Sequence, residues 1–234
     1  MKTLVSVCMP TYNRQAYLAE AIESIRGQKY DNWELIICND GSTDRTYLLL
    51  DYYTKKDKRI KVITTPNQGI AKARNTAIRA SKGGYIMVMD SDDLASPDRI
   101  TDSLKAIKHY DFVFGPYLQA DEHAKVQGAV NPPPSLKKEQ IYDVLEGAWP
   151  HVTIMAKRQC FIDNPYRDEL KVNDDAALCL DWYKAGYKGV RLKDAYMIVR
   201  YHPTSVSKTR DKEVKEITKK LRAELDAYIK SKGI

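Results

Sequence analysis

No stretch of this 234-residue chain approaches the roughly 18 consecutive apolar residues that a membrane-spanning helix needs. The opening run Leu4-Val5-Ser6-Val7-Cys8-Met9 is too short for the core of a signal peptide, so a cytosolic protein is expected. Cysteine is scarce: Cys8, Cys38, Cys160 and Cys179 are widely spaced and form no CxxC pair, which argues against a disulfide framework or a zinc site. Cys8 and Cys38 lie in apolar, strand-like runs, where cysteine behaves as a small buried hydrophobe. Also missing is a GxGxxG loop after the first strand. Pro10-Thr11-Tyr12-Asn13 stands there instead, which excludes a dinucleotide-dependent oxidoreductase. None of the common nucleic-acid motifs is present, and the aromatics are not interleaved with a basic stripe, so no nucleic-acid partner is expected. There is no internal repeat.

What remains is an ordinary globular composition, 43% apolar and 29% charged, in a chain long enough for one large α/β domain or two small ones. The net charge of +7 suits an anionic partner: nucleotide phosphates, an acidic polymer or an anionic membrane face.

The first half alternates strand-like and helix-like patterns. Leu4 to Met9, Trp33 to Cys38, Ile60 to Thr64 and Tyr85 to Met89 read as strands. Between them lie helical spacings: Leu18, Ala21, Ile22 and Ile25; Leu48, Leu49 and Tyr52, capped by Ser42 or Thr43; and Gly69 to Ala80. Apolar strands alternating with amphipathic helices predict a mostly parallel central sheet with helices on both faces, a Rossmann-like α/β fold. Ligands bind such sheets beyond the carboxyl ends of the strands. The turns Pro10-Thr11-Tyr12-Asn13, Asp40-Gly41-Ser42 and Asp90-Ser91-Asp92-Asp93 should therefore converge on one crevice.

The second half is less regular. Pro97 opens a helix with Ile100, Leu104 and Ile107, and Asp111 to Phe114 is a further strand. Asn131-Pro132-Pro133-Pro134-Ser135 must be loop. Trp149 to Ala156 and Tyr196 to Tyr201 read as strands, and Asp174 to Ala185 as a helix. Residues 211–231 form a Lys-rich amphipathic helix with Val214, Ile217, Leu221, Leu225 and Tyr228 on one stripe. That stripe either packs on the rest of the chain or lies on an anionic membrane, with Lys212, Lys215, Lys219, Lys220 and Arg222 facing headgroups. The expected organisation is residues 1–210 as one domain, with 1–105 its ligand-binding part, and 211–234 as a terminal helix.

Several residue groups carry chemistry. Asp90, Asp92 and Asp93 crowd three carboxylates directly after a buried strand, an arrangement that needs solvent or a cation. They read either as an acidic turn before the next helix or as hard oxygen ligands for Mg²⁺ or Mn²⁺ bound together with substrate phosphates. Asp40 ends its strand either as a ligand for a base or ribose or as an Asx-turn or helix cap. Lys72 and Arg74, near the start of a helix, are either a phosphate cradle or a solvated face. Asp174-Asp175 either complements a helix dipole or supplies a general base. His202 either ligates metal or phosphate, or is structural.

Individually these signals are weak, but their order is specific. The runs Ser6-Val7-Cys8-Met9-Pro10-Thr11-Tyr12-Asn13-Arg14, Trp33 to Asp44, Asn67-Gln68-Gly69 through Ala73-Arg74-Asn75, and Asp90-Ser91-Asp92-Asp93 with Pro97 resemble the family-2 glycosyltransferases. Residues 4–105 are covered almost continuously. Asp174-Asp175, Lys184-Ala185-Gly186-Tyr187 and His202-Pro203-Thr204-Ser205-Val206-Ser207 follow in family order. The resemblance implies a GT-A fold and transfer of a sugar, mostly with inversion, from a nucleotide-diphosphate sugar to a glycan or lipid-linked acceptor. UDP is the commonest nucleotide, and surface-glycan synthesis the usual setting. It implies that Pro10, Thr11, Tyr12 and Asp40 hold the nucleotide. Asp90 and Asp92 would be the ends of a DxD motif, with Asp92 the direct ligand of Mn²⁺ or Mg²⁺ and His202 helping to hold metal or diphosphate. It also implies that Asp175 is the general base. Asp174 departs from the family by replacing a glutamate. A nucleotidyltransferase should carry a Gly-rich phosphate loop after the first strand and is disfavoured. A non-catalytic nucleotide-sugar-binding relative is the rival reading.

Overall fold

A computed structural model describes residues 2–133, 138–148, 151–194, 196–203 and 211–233. Strands β1 (Val5–Thr11) and β2 (Trp33–Asn39) are buried along their whole length, which is what a near-continuous apolar run demands of a sheet covered on both sides. They pair in parallel from Val5 opposite Trp33 to Thr11 opposite Asn39. Strand β3 (Ile60–Thr64) continues the sheet beside β2, and β4 (Tyr85–Val88) lies on the other side of β1, both parallel. Helices α1 (Leu18–Arg26), α2 (Thr46–Lys56) and α3 (Ile70–Ala80) make the crossovers.

Side-chain alternation along β1 builds two cores. Val5, Val7 and Met9 pack with Leu18, Ile22 and Ile25 of α1, and Cys8 faces Ala73, Ala77 and Ile78 of α3. The apolar stripe expected on α2 is rotated from the one seen. Leu50 and Tyr53 are buried, whereas Leu48 and Tyr52 are 50% and 53% exposed. With Leu48-Leu49-Leu50 in a row, spacing could not choose the face; packing against the sheet does. Nor do Ser42 and Thr43 cap this helix. Ser42 Oγ and the Thr43 amide bond Asn13, and Asp44 accepts from the amide of Thr46 at 3.0 Å.

Beyond β4 the chain adds a short strand β5 (Leu94–Ala95), helix α4 (Arg99–Ala106), and strands β6 (Phe112–Phe114), β7 (Tyr117–Ala120) and β8 (Val126–Val130). Helix α5 (Lys138–Asp143) runs into a π-helical turn, Val144–Ala148. The strand expected from Trp149 to Ala156 is mostly not one. Trp149 and Pro150 lie outside the described residues, His151–Thr153 is a 3₁₀ turn, and β9 (Met155–Lys157) supplies the strand. Of the expected loop at 131–135, residues 131–133 are irregular and Pro134 and Ser135 lie outside the described residues. Helices α6 (Arg158–Asp163) and α7 (Asp174–Ala185), strands β10 (Gly189–Arg191) and β11 (Met197–Arg200), and helix α8 (Asp211–Lys232) complete the order.

The main sheet has seven strands in the order β10-β6-β9-β4-β1-β2-β3, parallel except for β9, which inserts antiparallel between β4 and β6. A second sheet, β5-β11-β7-β8, was not expected, and β11 belongs to it. Its strands are short, and β8 is largely exposed, so they carry little apolar periodicity. Helix α8 packs on α7, with Leu221 and Leu225 in the same core as Ala177 and Leu180. No helix of the described residues is long and apolar enough to cross a membrane.

Candidate active site

The three turns converge as the topology requires. The Asp40 amide donates to the Thr11 carbonyl (2.9 Å), and the Met89 amide to the Cys8 carbonyl (3.2 Å), so the segments leaving β1, β2 and β4 emerge side by side. Asn13, at φ 52°, threads the first turn onto the second: its Oδ1 accepts from Thr43 and Asp44, and its amide donates to Ser42 Oγ. Pro10 and Thr11 are buried at the end of β1, and Tyr12 beyond them is 43% exposed. Thr11 Oγ1 is buried without a hydrogen-bond partner among the described residues.

Asp40 is buried, and both of its oxygens are engaged. Oδ1 accepts from the Gln68 amide and Oδ2 from the Gly69 amide, each at 2.9 Å. Gly69 precedes α3 at φ 95°, a conformation glycine adopts without strain. Asp40 thus ties the end of β2 to the start of α3. These contacts are neither an Asx-turn nor a cap of the following helix, and both oxygens are spent on the segment that leads into α3.

The acidic turn is met by basic side chains from three directions. Asp92 Oδ2 accepts from Arg14 Nε at 3.0 Å and lies 2.9 Å from His202 Nε2, so both approach one oxygen and neither takes Oδ1. Burial alone would raise this carboxyl; His202 and Arg14 outweigh it and hold Asp92 below the usual carboxylate range. His202 is buried and stacks on Tyr17, ring centroids 4.6 Å apart. Asp93 is buried with its Oδ1 accepting from the Arg200 amide, which fixes β11 against the turn. Burial and the charges of Asp92 and Asp90 push Asp93 well above the carboxylate range.

Asp90 joins a second cluster. Arg74, expected beside Lys72 as a phosphate cradle, is itself buried, with its guanidinium between two acids: Nη2 donates to Asp90 Oδ1 at 2.9 Å and Nη1 to Asp174 Oδ2. Burial works against its charge, but the neighbouring charges of Asp174 and Asp90 hold the guanidinium firmly protonated. Lys72 makes no side-chain contact to this cluster among the described residues. Asp175, next to the paired Asp174, forms no ion pair there and accepts only from the Ala176 amide at 2.9 Å. Burial first, then the negative charge of Asp174, raise its carboxyl to about 6. One residue of the acid pair is a structural counter-ion; the other is a carboxylate poised near neutrality.

The sequence reading missed four supporting residues. Arg14 directly follows the first turn, a position that could have flagged it. Tyr17 and Arg200 gave no signal. Arg99, almost wholly buried, donates through Nη2 to the carbonyls of Val88 (2.7 Å) and Val152 (2.6 Å) and so holds the end of β4 just before the acidic turn.

The residues suit a divalent cation of the Mg²⁺ or Mn²⁺ kind. Such ions keep one or two protein carboxylates and fill the rest of their shell with phosphate and water. Asp90 and Asp92 are partly open, their side chains 27% and 16% exposed, and Asp92 has an oxygen that neither Arg14 nor His202 takes. No group of three or more His, Cys, Asp or Glu side chains among the described residues forms an all-protein cage.

Sequence comparison decides the family. The model of Glycosyl transferase family 2 matches residues 6–155. The chain belongs to that family. This family-2 chain is 29% identical over 224 residues to a putative teichuronic acid biosynthesis glycosyltransferase, TuaG, of Bacillus subtilis, covering 92% of this chain and 86% of that one. Other curated relatives are longer: the chain spans 19%, 29% and 48% of three uncharacterized glycosyltransferases that it matches. Among solved structures, S. aureus TarS 1-349 in complex with UDP-GlcNAc superposes with a TM-score of 0.75 at 21% identity, over 97% of this chain and 70% of that one. The mannosyltransferase PcManGT of Pyrobaculum calidifontis, in complex with GDP-Man and Mn²⁺, gives 0.69 at 19% identity, over 91% and 61%. These likenesses show the GT-A type of fold: a central, mostly parallel sheet between helices, with a C-terminal helix added.

Proposed function

We propose that this family-2 chain transfers a sugar from a nucleotide-diphosphate sugar, UDP-linked in the first instance, to an acceptor hydroxyl with inversion at the anomeric carbon. The observation that carries the reading is the linkage Asp90–Arg74–Asp174 with Asp175 beside it. One buried arginine joins the acids of the donor crevice to the acid pair on α7, as a reaction between two bound substrates requires. Pro10, Thr11, Tyr12 and Asp40 form the nucleotide end of the crevice, Lys72 and Arg74 lie toward the phosphates, and Asp90 lies beside them. Thr11 Oγ1, buried with no hydrogen-bond partner among the described residues, supports a polar ligand at that end.

Asp92, with His202, would hold Mn²⁺ or Mg²⁺, which supplies electrostatic stabilisation of the diphosphate leaving group when bound. Asp175 takes the proton of the acceptor hydroxyl as that oxygen bonds to the anomeric carbon and the bond to the diphosphate oxygen breaks. A carboxyl raised to about 6 suits this task, since a general base works best with a pKa near the working pH.

The reading divides the chain into a catalytic domain at 1–210, with residues 1–105 binding donor and 106–210 facing acceptor, and the terminal helix at 211–234. It takes the acceptor to be a surface glycan or a lipid-linked precursor, in line with TuaG as a putative glycosyltransferase of teichuronic acid biosynthesis. It sets the protein in the cytoplasm, with the exposed Lys212, Lys215, Lys219 and Lys220 of α8 available to an anionic membrane face and Arg222, exposed but bonded to Glu146, at its edge. The deciding experiment is a thermal-shift panel of UDP, GDP, dTDP and CDP and their sugars, with Mn²⁺ or with EDTA, followed by donor turnover. A metal-dependent rise in Tm for one nucleotide, with hydrolysis or transfer, supports the enzyme. A shift without turnover favours the non-catalytic relative, and no shift at millimolar ligand refutes the donor site.

A further inference from the structure

The helix that carries Asp174 and Asp175 is held at both ends by α8. At its start stands Asn173, at φ 54°, in the left-handed region that asparagine tolerates better than most residues. The side chain of Asn173 reaches across to α8, where Nδ2 donates to the Val214 carbonyl (3.2 Å) and to Thr218 Oγ1 (2.8 Å). Its own carbonyl accepts from the Ala177 amide at 3.0 Å. At the other end Lys184 bonds Glu224, and Tyr228 Oη donates to the Lys184 carbonyl at 3.3 Å. Between these ties, Leu221 and Leu225 are buried against α7.

We infer that Asn173 is a positioning residue of the transfer centre and that α8, through Thr218, is its anchor. The inference rests on Asp175 being the general base. A left-handed residue directly before a helix sets the direction in which the first turn leaves it. Here that turn must deliver Asp174 to Arg74 and leave Asp175 open to the crevice. Turning Asn173 toward the ordinary extended region would swing both carboxylates together. The tether to Thr218 opposes that turn, so the long terminal helix belongs to the catalytic apparatus as well as to the core. The alignment is worth testing because misplacing a reacting group by about 1 Å can cost about 10²-fold in rate.

The test uses the full chain. Thr218→Val removes one hydroxyl at nearly constant shape, and Asn173→Gly keeps the backbone conformation while removing the tether. Glu216→Gln, on the outer face of α8 where Glu216 pairs with Lys220, serves as the control. We expect both tether variants to lower kcat about tenfold, with donor KM and nucleotide-induced Tm rise as in the parent and faster hydrogen exchange at Ala176 to Leu178. The control should match the parent. Parental kcat in Thr218→Val overturns the inference, whatever the exchange shows. So does a lowered Tm with unchanged kcat, which would make the tether purely structural. A parent chain that binds nucleotide but neither transfers nor hydrolyses would instead sink the base reading, and the inference with it.

Discussion

Arg74 and Asp174 form a buried ion pair between residues 100 positions apart in the chain, and the same guanidinium reaches Asp90. Two acids that would repel each other in a poorly solvated place are thereby held close by one cation. Removing that cation leaves Asp174 buried and unpaired and takes from Asp90 its partner. Arg74→Met should therefore cost about 3–5 kcal/mol of stability, measured by urea unfolding. Asp174→Asn keeps an acceptor for the guanidinium and should cost less.

The acid pair on α7 also sets a pH dependence. A general base must be ionised, and Asp175 titrates at about 6, so kcat should rise between pH 5 and 7 with a midpoint near that value. Asp175→Asn should lose roughly 10²–10⁴-fold in kcat without losing nucleotide binding. Stability runs the other way. A carboxyl raised from 3.8 to about 6 by folding binds its proton more tightly in the native state. Its contribution is fully present below the unfolded value and is lost as pH rises through about 6. Comparing unfolding of the parent and Asp175→Asn at pH 4 and 7 isolates that term, and a contribution growing with pH would contradict the assignment.

At Asp92 the prediction concerns metal. With Asn in place of Asp92, the charge that gathers Arg14 and His202 is gone, as is the proposed ligand. The Mn²⁺-dependent part of the nucleotide thermal shift should disappear, while the part that survives EDTA should remain. An undiminished Mn²⁺ response in Asp92→Asn would move the metal elsewhere.

Asp40 makes a different prediction because its contacts are internal. Asp40→Ala strands the amides of Gln68 and Gly69 at the head of α3. It should cost about 1–3 kcal/mol before any effect on ligand. Asp40→Asn retains one acceptor oxygen and should fall between the two. Equal stability of all three in urea would show that the ties contribute nothing.

The first half of the chain was legible because its signals are local. Buried strands such as Trp33–Asn39 are apolar runs closed by turn residues, and parallel topology brings their ends together without further information. What was not legible depends on distant pairing. Nothing near Arg74 announces Asp174, and nothing near Asp92 announces that Arg14 will share its oxygen with His202. The second sheet escaped for another reason. Leu94–Ala95 has two residues and Val126–Val130 is mostly exposed, so neither shows the alternation of a half-buried strand. Nor does the sequence show how the acid pair divides: Arg74 neutralises Asp174, and Asp175 forms no ion pair among the described residues.

The loop Asp90–Asp93 is encoded in the first hundred residues, yet Asp92 is met by His202, Asp93 by the backbone amide of Arg200, and the arginine beside Asp90 by Asp174. The two halves of the chain are therefore not interchangeable cassettes. Exchanging segments of the second half between relatives replaces the side chains that meet Asp92 and Arg74 along with everything else those segments carry. Chimaeras that retain positions 174 and 202 from the parent should keep nucleotide binding, measured by thermal shift, and those that replace them should lose it first.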